Sequence, residues 1–203
     1  MNVTVISATE KPVDVISLAA GVCFGKFSVS PKRAETCYRS GHLSVFEHAH
    51  ITFHVEGISR SCMAQLTRHR HASFCVESQR YNRYSLEGTD WYVEPECFSD
   101  WYVVPEDGED WDKRFFDTVM AVNAHAYKNA IESGVKPEDA RYLLPEATKT
   151  NLVVTMNVRE LFHIFDMRLA TSAQWEIRGL VDAMRDAAAN VSDQWRWLME
   201  LAA

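Results

Sequence analysis

Five arginines lie within residues 57–84, a stretch that contains one acid and no lysine: Arg60, Arg68, Arg70, Arg80 and Arg83. The guanidinium group is a planar fork that binds a phosphate or a carboxylate through two hydrogen bonds. Residues 87–112 hold ten acids and no lysine or arginine, and the net charge of the chain is −7. A basic region in an acidic chain indicates small anionic ligands, because nucleic-acid binding needs a broad basic surface. The alternative is that these arginines lie on solvated faces and pair with nearby acids.

Histidine is clustered in the same part of the chain. Six of the eight histidines lie between residues 42 and 71: His42, His48, His50, His54, His69 and His71. His48, His50 and His54 have the same parity, so on a strand they would share one face and could bind a metal. Glu47 has the opposite parity, and the spacing matches no metal motif. We therefore expect no metal, and favour a polar strand face near a ligand or another subunit.

The segment that carries most information is residues 65–81, QLTRHRHASFCVESQRY. Its Arg-His-Arg, followed by seven residues and then Ser78, resembles the signature of the flavin-dependent thymidylate synthases. Residues 41–48 (GHLSVFEH) and 138–145 (EDARYLLP) resemble two further blocks of that family. A fourth block is carried by NVREL at 157–161, RL at 168–169 and AQWEI at 173–177. The blocks follow in the family's order and cover most of residues 1–185.

The resemblance implies a reaction, a fold and an assembly. The reaction is the conversion of dUMP to dTMP, with methylenetetrahydrofolate as carbon donor, FAD as redox carrier and NADPH as the usual reductant. All these ligands are anionic, which agrees with an arginine-rich site. The implied fold is α/β (α+β), a curved and mostly antiparallel sheet flanked by helices, in a single domain over residues 1–203. The implied assembly is a homotetramer with active sites between subunits.

The same resemblance assigns roles to individual residues. Those that would contact dUMP are Gln65, Arg68, Ser78, Gln79, Arg80, Arg141 and Arg168. Those that would hold FAD are His42, Ser44, Arg68, His69, Arg70, Asn157, Arg159 and His163, with His48 close to the flavin or the substrate. Arg168 would lie near the uracil edge and favour the form ionised at N3, because a nearby positive charge stabilises an anion. Arg168 and Ser78 are the expected catalytic residues.

Ser78 is expected to position the substrate rather than to attack it. A serine becomes a nucleophile only when a base activates it, and nothing in the sequence places His69 or His71 against Ser78. Cys62 and Cys75 are expected to be buried or half-buried packing residues. Two positions depart from the family: Val76, where many members carry Glu or Gln, and Ser172, where some carry His or Asn.

Apolar periodicity predicts the elements that position these residues. Helices are expected over residues 13–24, 31–40, 58–66, 110–131, 157–169, 173–189 and 191–201, with a short helical turn over 136–145. Strands are expected over 48–55, ended by Gly57, and over 150–156, whereas 68–84 reads as a loop or irregular strand. Ser30 and Asn157 are predicted N-caps. The chain contains neither GxGxxG nor GxxxxGK[ST], so no Rossmann or P-loop site is indicated.

The remaining features bear on location and on alternative functions. The five cysteines form no CxxC pair, and the start resembles no secretory signal, so we expect a reducing cytoplasm and no membrane association. An internal repeat, DWYVEPE at 90–96 and DWYVVPE at 100–106, reads as a local surface duplication or as short strands. A metal-dependent hydrolase and a nucleotide sensor without turnover remain alternatives, while RNA binding is disfavoured by the adjacent acids.

Overall fold

The computed structural model describes residues 1–82, 84, 86–88, 90–94 and 111–202, with side chains from residue 114 onward in the last range. The described strands are β1 (Asn2–Ala8), β2 (His50–Ser59), β3 (Ala72–Val76) and β4 (Lys149–Asn157). The described α-helices are α1 (Pro12–Val22), α2 (Pro31–Arg39), α3 (Arg60–Leu66), α4 (Trp111–Glu132), α5 (Pro137–Ala140), α6 (Val158–Arg168), α7 (Trp175–Ala189) and α8 (Asp193–Leu201). Two 3₁₀ helices span Leu43–His48 and Arg141–Leu143.

The described residues form two compact units. Unit 1 consists of Met1–Glu56, Ala64–Cys75 and Asn151–Ala203, and unit 2 of Gly57–Met63 and Val76–Thr150. Unit 1 contains most of the sheet together with α1, α2, α6, α7 and α8, whereas unit 2 contains α4 and α5.

The sheet has four strands in the order β1-β2-β4-β3, and β1 pairs antiparallel with β2, with Val3 opposite Val55. Side chains of β2 alternate, so that Ile51, Phe53 and Val55 are fully buried while the intervening residues face outward. Helix α7 packs against β1 and buries its apolar stripe. The expected α/β combination of helices with a mostly antiparallel sheet is confirmed, and the structure shows that the sheet is unclosed.

Most of the predicted helices and the strand at 150–156 are confirmed within two to three residues at each end. The prediction that Gly57 ends a strand is wrong. Gly57 has φ of +72°, which glycine tolerates, and β2 continues through the buried Ile58 and Ser59. The predicted helix at 58–66 accordingly begins at Arg60.

The predicted histidine face is only partly right. His50 and His54 lie on the same side of β2, but His48 is the last residue of the 3₁₀ helix Leu43–His48. Among the described residues, no group of three or more histidines, cysteines, aspartates or glutamates could hold a metal ion. No helix in the described ranges is long and apolar enough to cross a membrane.

Unit 2 has a small aromatic core in which Trp91 and Tyr92 pack against Met120 of α4. The Tyr92 hydroxyl donates to Asp117 at 2.5 Å, and burial together with this hydrogen bond raises the pKa of Tyr92. Tyr92 also forms an isolated antiparallel bridge with Thr148. The first copy of the internal repeat therefore contributes to a core, and the second copy lies outside the described residues.

Candidate active-site residues in two clusters

The Arg-His-Arg motif lies on the turn between α3 and β3, in unit 1. The turn is closed by hydrogen bonds from the Arg68 and His69 amides to the carbonyls of Gln65 and Leu66. His69 is buried, with 5% of its surface exposed, whereas Arg68 and Arg70 are exposed. The motif therefore directs one imidazole inward and leaves two guanidinium groups exposed to solvent.

His69 is held between two charged residues of α6. Arg168 Nε donates to His69 Nε2 at 3.1 Å, and Glu160 Oε1 lies 3.6 Å from His69 Nδ1. The His163 ring packs edge-on at 5.7 Å. Burial first, and then the positive field of Arg168 and the neighbouring His163, lower the pKa of His69 to about 4. At neutral pH His69 is therefore uncharged.

The contacts of His69 also define its tautomer. Arginine has donors and no acceptor, so His69 Nε2 must accept from Arg168 and carry no proton. The single proton of the neutral ring is then on Nδ1, facing the Glu160 carboxylate. Sequence reasoning missed Glu160, because its proximity to His69 depends on tertiary packing.

Arg168 is the last residue of α6 and is half-buried. Besides the bond to His69, its Nη2 donates to the Gln65 backbone carbonyl at 3.4 Å. These are the partners of the Arg168 guanidinium within the described residues, and they occupy Nε and Nη2. The structure thus brings together Gln65 and Arg168, two of the expected dUMP contacts, and leaves Nη1 for a ligand.

The start of α6 carries two of the expected FAD residues. Asn157 is the N-cap, and its Oδ1 accepts from the Glu160 amide at 2.8 Å, which confirms the predicted cap and leaves the side-chain NH2 group as a donor. Arg159 Nη1 pairs with Glu47 at 2.5 Å across an exposed surface. Since exposed pairs contribute about 0–1 kcal/mol, an anionic ligand can compete with Glu47 for Arg159.

The other expected FAD residues are exposed at several places in unit 1. His42 and Ser44 lie at the start of the 3₁₀ helix Leu43–His48, and His163 lies one turn after Arg159 on α6. The Glu47–Arg159 pair links this 3₁₀ helix to α6. Among the described residues, neither His42 nor Ser44 forms a hydrogen bond or ion pair with the arginine turn, so polar contacts do not join the whole set.

A second cluster lies in unit 2 and contains the remaining expected dUMP residues. Arg80 Nε donates to the Glu138 carboxylate at 2.8 Å, and Arg141 Nε donates to the Glu138 backbone carbonyl at 3.0 Å. The Arg80 guanidinium also lies 5.4 Å from the centre of the Tyr81 ring. Sequence reasoning missed Glu138, although it stands in the EDARYLLP block.

Ser78 and Gln79 are half-buried and precede Arg80 in this cluster. The Ser78 hydroxyl accepts from the Arg80 amide at 3.2 Å, and the Ser78 carbonyl accepts from the Asn82 amide. These contacts shape a local turn, because serine hydroxyls commonly hydrogen-bond to backbone two residues ahead. Val76 stands where many family members carry Glu or Gln. The side chain of the next residue, Glu77, accepts a hydrogen bond from the Asn82 side chain at 3.4 Å.

Arg60 stabilises this turn through two hydrogen bonds. Its Nη2 donates to the Glu77 carbonyl at 2.8 Å and to the Tyr84 hydroxyl at 3.3 Å. Burial raises the pKa of Tyr84, so its hydroxyl stays protonated at neutral pH. Arg60 therefore holds Glu77 and Tyr84 in position. Its location in the arginine-rich stretch of the sequence did not indicate this structural role.

A cavity of about 700 Å³ lies in unit 2, but it contains none of the predicted site residues. Its walls are mainly aromatic and aliphatic, including Tyr84, Leu86, Trp91, Tyr127 and Ile131. Within the described part of the chain, the buried Tyr127 hydroxyl has no hydrogen-bond partner. The expected site residues that the structure groups therefore lie in the two charged clusters, each within its own unit, and not in this cavity.

The cysteine predictions are half right. Cys62 is fully buried, as predicted, but Cys75 is exposed because alternate side chains of β3 face solvent. Cys23, Cys37, Cys62 and Cys75 are all free thiols.

The donors in unit 1 fit a flavin dinucleotide. The diphosphate of such a group needs cationic donors, and Arg68 and Arg70 are exposed on one turn with no carboxylate partner among the described residues. Arg159 and the free amide of Asn157 add donors at the start of α6.

Three comparisons identify relatives of the chain. A family model described as thymidylate synthase complementing protein matches residues 4–192. The flavin-dependent thymidylate synthase of Haloarcula marismortui is 37% identical, over 94% of this chain and 91% of that protein. The enzyme of that name from Pyrococcus furiosus is 38% identical, over 95% and 81%.

Solved structures give the same result. The flavin-dependent thymidylate synthase ThyX of Helicobacter pylori, complexed with FAD and dUMP, aligns with a TM-score of 0.74 and 26% identity over 98% of each chain. A second structure of that protein with FAD and dUMP gives 0.72 and 28% identity. The chain therefore belongs to the thymidylate synthase complementing protein family, the family of the flavin-dependent thymidylate synthases.

Proposed function

We propose that this chain methylates dUMP to dTMP, with 5,10-methylenetetrahydrofolate as carbon donor and FAD, reduced by NADPH, as hydride carrier. The family, the names of its relatives and the two ligands in the Helicobacter pylori structures support this reaction. The observation that carries the proposal within this chain is the fixed guanidinium of Arg168, held by His69 and Gln65.

Arg168 acts on the uracil ring by its charge. With Nε and Nη2 occupied, Nη1 is the edge that a pyrimidine oxygen or N3 can approach. A fixed cation beside N3 lowers the pKa of that nitrogen and favours the anion. The anion has more electron density at C5, the carbon to be methylated. Because the cation is already oriented, little reorganisation is needed when charge develops.

Arg68, Arg70 and Arg159 are proposed to bind the FAD diphosphate, and the Asn157 amide is proposed as a further donor. His42, Ser44 and His163 are proposed to contact other parts of the dinucleotide. FAD, when bound, supplies the hydride-transfer chemistry. The protein's part is to bind and orient, and neutral His69 adds no further positive charge beside Arg168.

Arg80 and Arg141 are proposed to bind the dUMP phosphate. Each uses its Nε on Glu138, and their terminal nitrogens form no ion pair with a carboxylate among the described residues. Two terminal nitrogens on one guanidinium match two phosphate oxygens. Ser78 and Gln79 are proposed to hydrogen-bond to the nucleotide, with Ser78 as a positioning group.

We also propose a single synthase domain over residues 1–203, assembled as a homotetramer with active sites between subunits. Large apolar side chains exposed on unit 1, such as Phe24 at 77% and Phe27 at 75%, support subunit contacts. Four free thiols, together with the absence of CxxC, support a reducing cytoplasm.

The decisive experiment combines a spectrum with an isotope assay. The purified protein is titrated with FAD and then dUMP while its visible absorption is recorded, and tritium release from C5 of labelled dUMP is measured with all co-substrates. A flavin band that shifts on adding dUMP, with tritium release abolished in Arg168→Ala, supports the synthase. Binding of both ligands without tritium release would instead identify a nucleotide sensor. A colourless protein whose activity is lost to chelators would identify a metal-dependent hydrolase.

A further inference from the structure

We propose that Glu160 is a positioning residue for Arg168, acting through His69. The inference rests on the proposed function, since it assigns a new residue to the same dUMP site. Neither the Arg-His-Arg motif nor the NVREL block at 157–161 assigned a role to Glu160.

Glu160 and Arg168 lie on the same helix but form no ion pair with each other, and both contact His69 instead. Eight residues of α-helix separate them by about 12 Å along the axis. Glu160 is in the first turn, with 5% of its surface exposed, and Arg168 is the last residue. His69 spans this gap, with Nδ1 at 3.6 Å from the carboxylate and Nε2 at 3.1 Å from Arg168 Nε.

The burial of Glu160 needs a physical reason, because an ionised carboxylate loses much hydration when it is buried. Two features compensate that loss. The carboxylate lies in the first turn of α6, where the helix dipole stabilises negative charge, and it faces the Nδ1 proton of His69. A leucine of similar size would fill this space with no cost of desolvating a charge, so the charge points to a role beyond packing.

That role is to select the tautomer of His69. With the Glu160 carboxylate facing Nδ1, the proton of the neutral ring is held on Nδ1, and the Nε2 lone pair is available to Arg168. Without the carboxylate, the Nε2–H tautomer becomes accessible, and its N–H would point at the Arg168 N–H. The guanidinium would then lose its bond to His69 and keep only the 3.4 Å contact with the Gln65 carbonyl. Glu160 thus fixes the direction in which Nη1 points.

A double-mutant cycle with Arg168 tests this relay in the full-length holoenzyme. The variants are Glu160→Gln, Arg168→Ala and the double variant, each measured for dUMP affinity by the flavin band shift, for kcat and for melting temperature. Glu160→Gln keeps the volume of the side chain, removes its charge, and presents an amide whose NH2 group can donate to His69 Nδ1 and so favour the Nε2–H tautomer. We expect the dUMP Kd to rise about tenfold, with kcat falling, in line with the loss of one charge-assisted hydrogen bond. In the Arg168→Ala background the same change has no further effect on Kd.

Glu176→Gln is the matched control, because Glu176 is also 5% exposed and also lies in the first turn of a unit 1 helix. Its effects on Kd are expected to be equal with and without Arg168. A merely structural role of Glu160 would give the same additive behaviour, and this result would overturn the proposal. Should Glu160→Gln fail to fold, Glu160→Asp, which keeps the charge but shortens its reach, enters the same cycle.

The outcomes separate this proposal from the proposed function. If the wild-type protein shows no dUMP-dependent band shift and no tritium release, the synthase assignment fails. If the wild-type protein is active and Glu160→Gln matches it in Kd and kcat, only the relay is overturned.

Discussion

The carboxylate of Glu138 accepts a hydrogen bond from Arg80 Nε at 2.8 Å, across 58 residues of sequence. The backbone carbonyl of Glu138 meanwhile accepts from Arg141 Nε at 3.0 Å. One residue therefore fixes the Nε edges of both arginines assigned to the dUMP phosphate. We therefore expect the proposed phosphate site to be organised before the nucleotide binds, which would lower the entropy lost on binding.

Replacing Arg80 by alanine should raise the KM for dUMP by about 10- to 100-fold, because one charge-assisted phosphate contact contributes about 1.5–3 kcal/mol. FAD affinity should stay within about twofold of wild type. The control is Arg39→Ala, which breaks a comparable exposed pair, with Glu35 at 2.8 Å, far from both clusters in sequence. An unchanged KM in Arg80→Ala would contradict the assignment of Arg80 to the phosphate.

Replacing Glu138 by alanine should raise the KM for dUMP by less, about 3- to 10-fold. The Arg80 side chain loses its fixed direction, whereas Arg141 keeps its bond to the backbone carbonyl, which alanine also provides. Steady-state kinetics with varied dUMP measure the effect, and Glu35→Ala is the control. A lower KM would mean that Glu138 competes with phosphate for Arg80 rather than orienting it.

The local part of this site could be predicted from the sequence. The cap at Asn157 and the apolar stripe of α6 depend on neighbouring residues, so periodicity and cap chemistry suffice to place Arg168 at the end of a helix. The resemblance of the Arg-His-Arg segment to a known family was enough to name Gln65 and His69 as candidate site residues. Neither argument needs the tertiary structure.

The non-local part could not be predicted. Glu160 meets His69 from 91 residues away, and Glu138 meets Arg80 from 58. Which acid reaches which basic side chain depends on how α6 and α5 each pack within their own unit, and nothing in the local sequence encodes it. Strand β1 was not predicted for a related reason. Its residues are exposed or half-buried, and their strand conformation depends on pairing with β2.

Asn157 allows capping to be separated from flavin binding. Asn157→Ala removes both the cap and the amide, and should lower the free energy of unfolding by about 1 kcal/mol as well as FAD affinity. Asn157→Asp keeps an acceptor for the Glu160 amide and should retain stability while FAD binding weakens, because the NH2 donor is gone. Ser192→Ala, at the cap of α8, should lose stability alone. Denaturant melts and FAD titration measure these effects. Normal FAD affinity in Asn157→Asp would exclude the amide as a ligand.

His69 should make stability fall in acid. Its pKa is lowered to about 4 in the folded chain, against 6.5 when unfolded, so the unfolded state binds more protons between these values. The contribution of His69 is therefore fully present above pH 6.5 and lost as pH falls toward 4, by at most about 3 kcal/mol. Denaturant unfolding of wild type and His69→Gln from pH 7 to 4.5 measures it, with His125→Gln as an exposed control. Equal slopes for wild type and His69→Gln would show that His69 titrates normally.

Ser78 distinguishes positioning from nucleophilic catalysis. Its hydroxyl accepts from the Arg80 amide, a contact that shapes the turn and provides no base to remove the hydroxyl proton. Ser78→Ala should therefore raise the KM for dUMP several-fold and keep measurable kcat, since one neutral hydrogen bond contributes about 0.5–1.5 kcal/mol. Cys75→Ala, which removes an exposed thiol, should leave both constants near wild type. Tritium release from C5 of dUMP under saturating co-substrates measures the turnover. A nucleophilic serine would instead give complete loss of tritium release in Ser78→Ala with dUMP still bound, and a covalent adduct trapped in the wild type would map to residue 78.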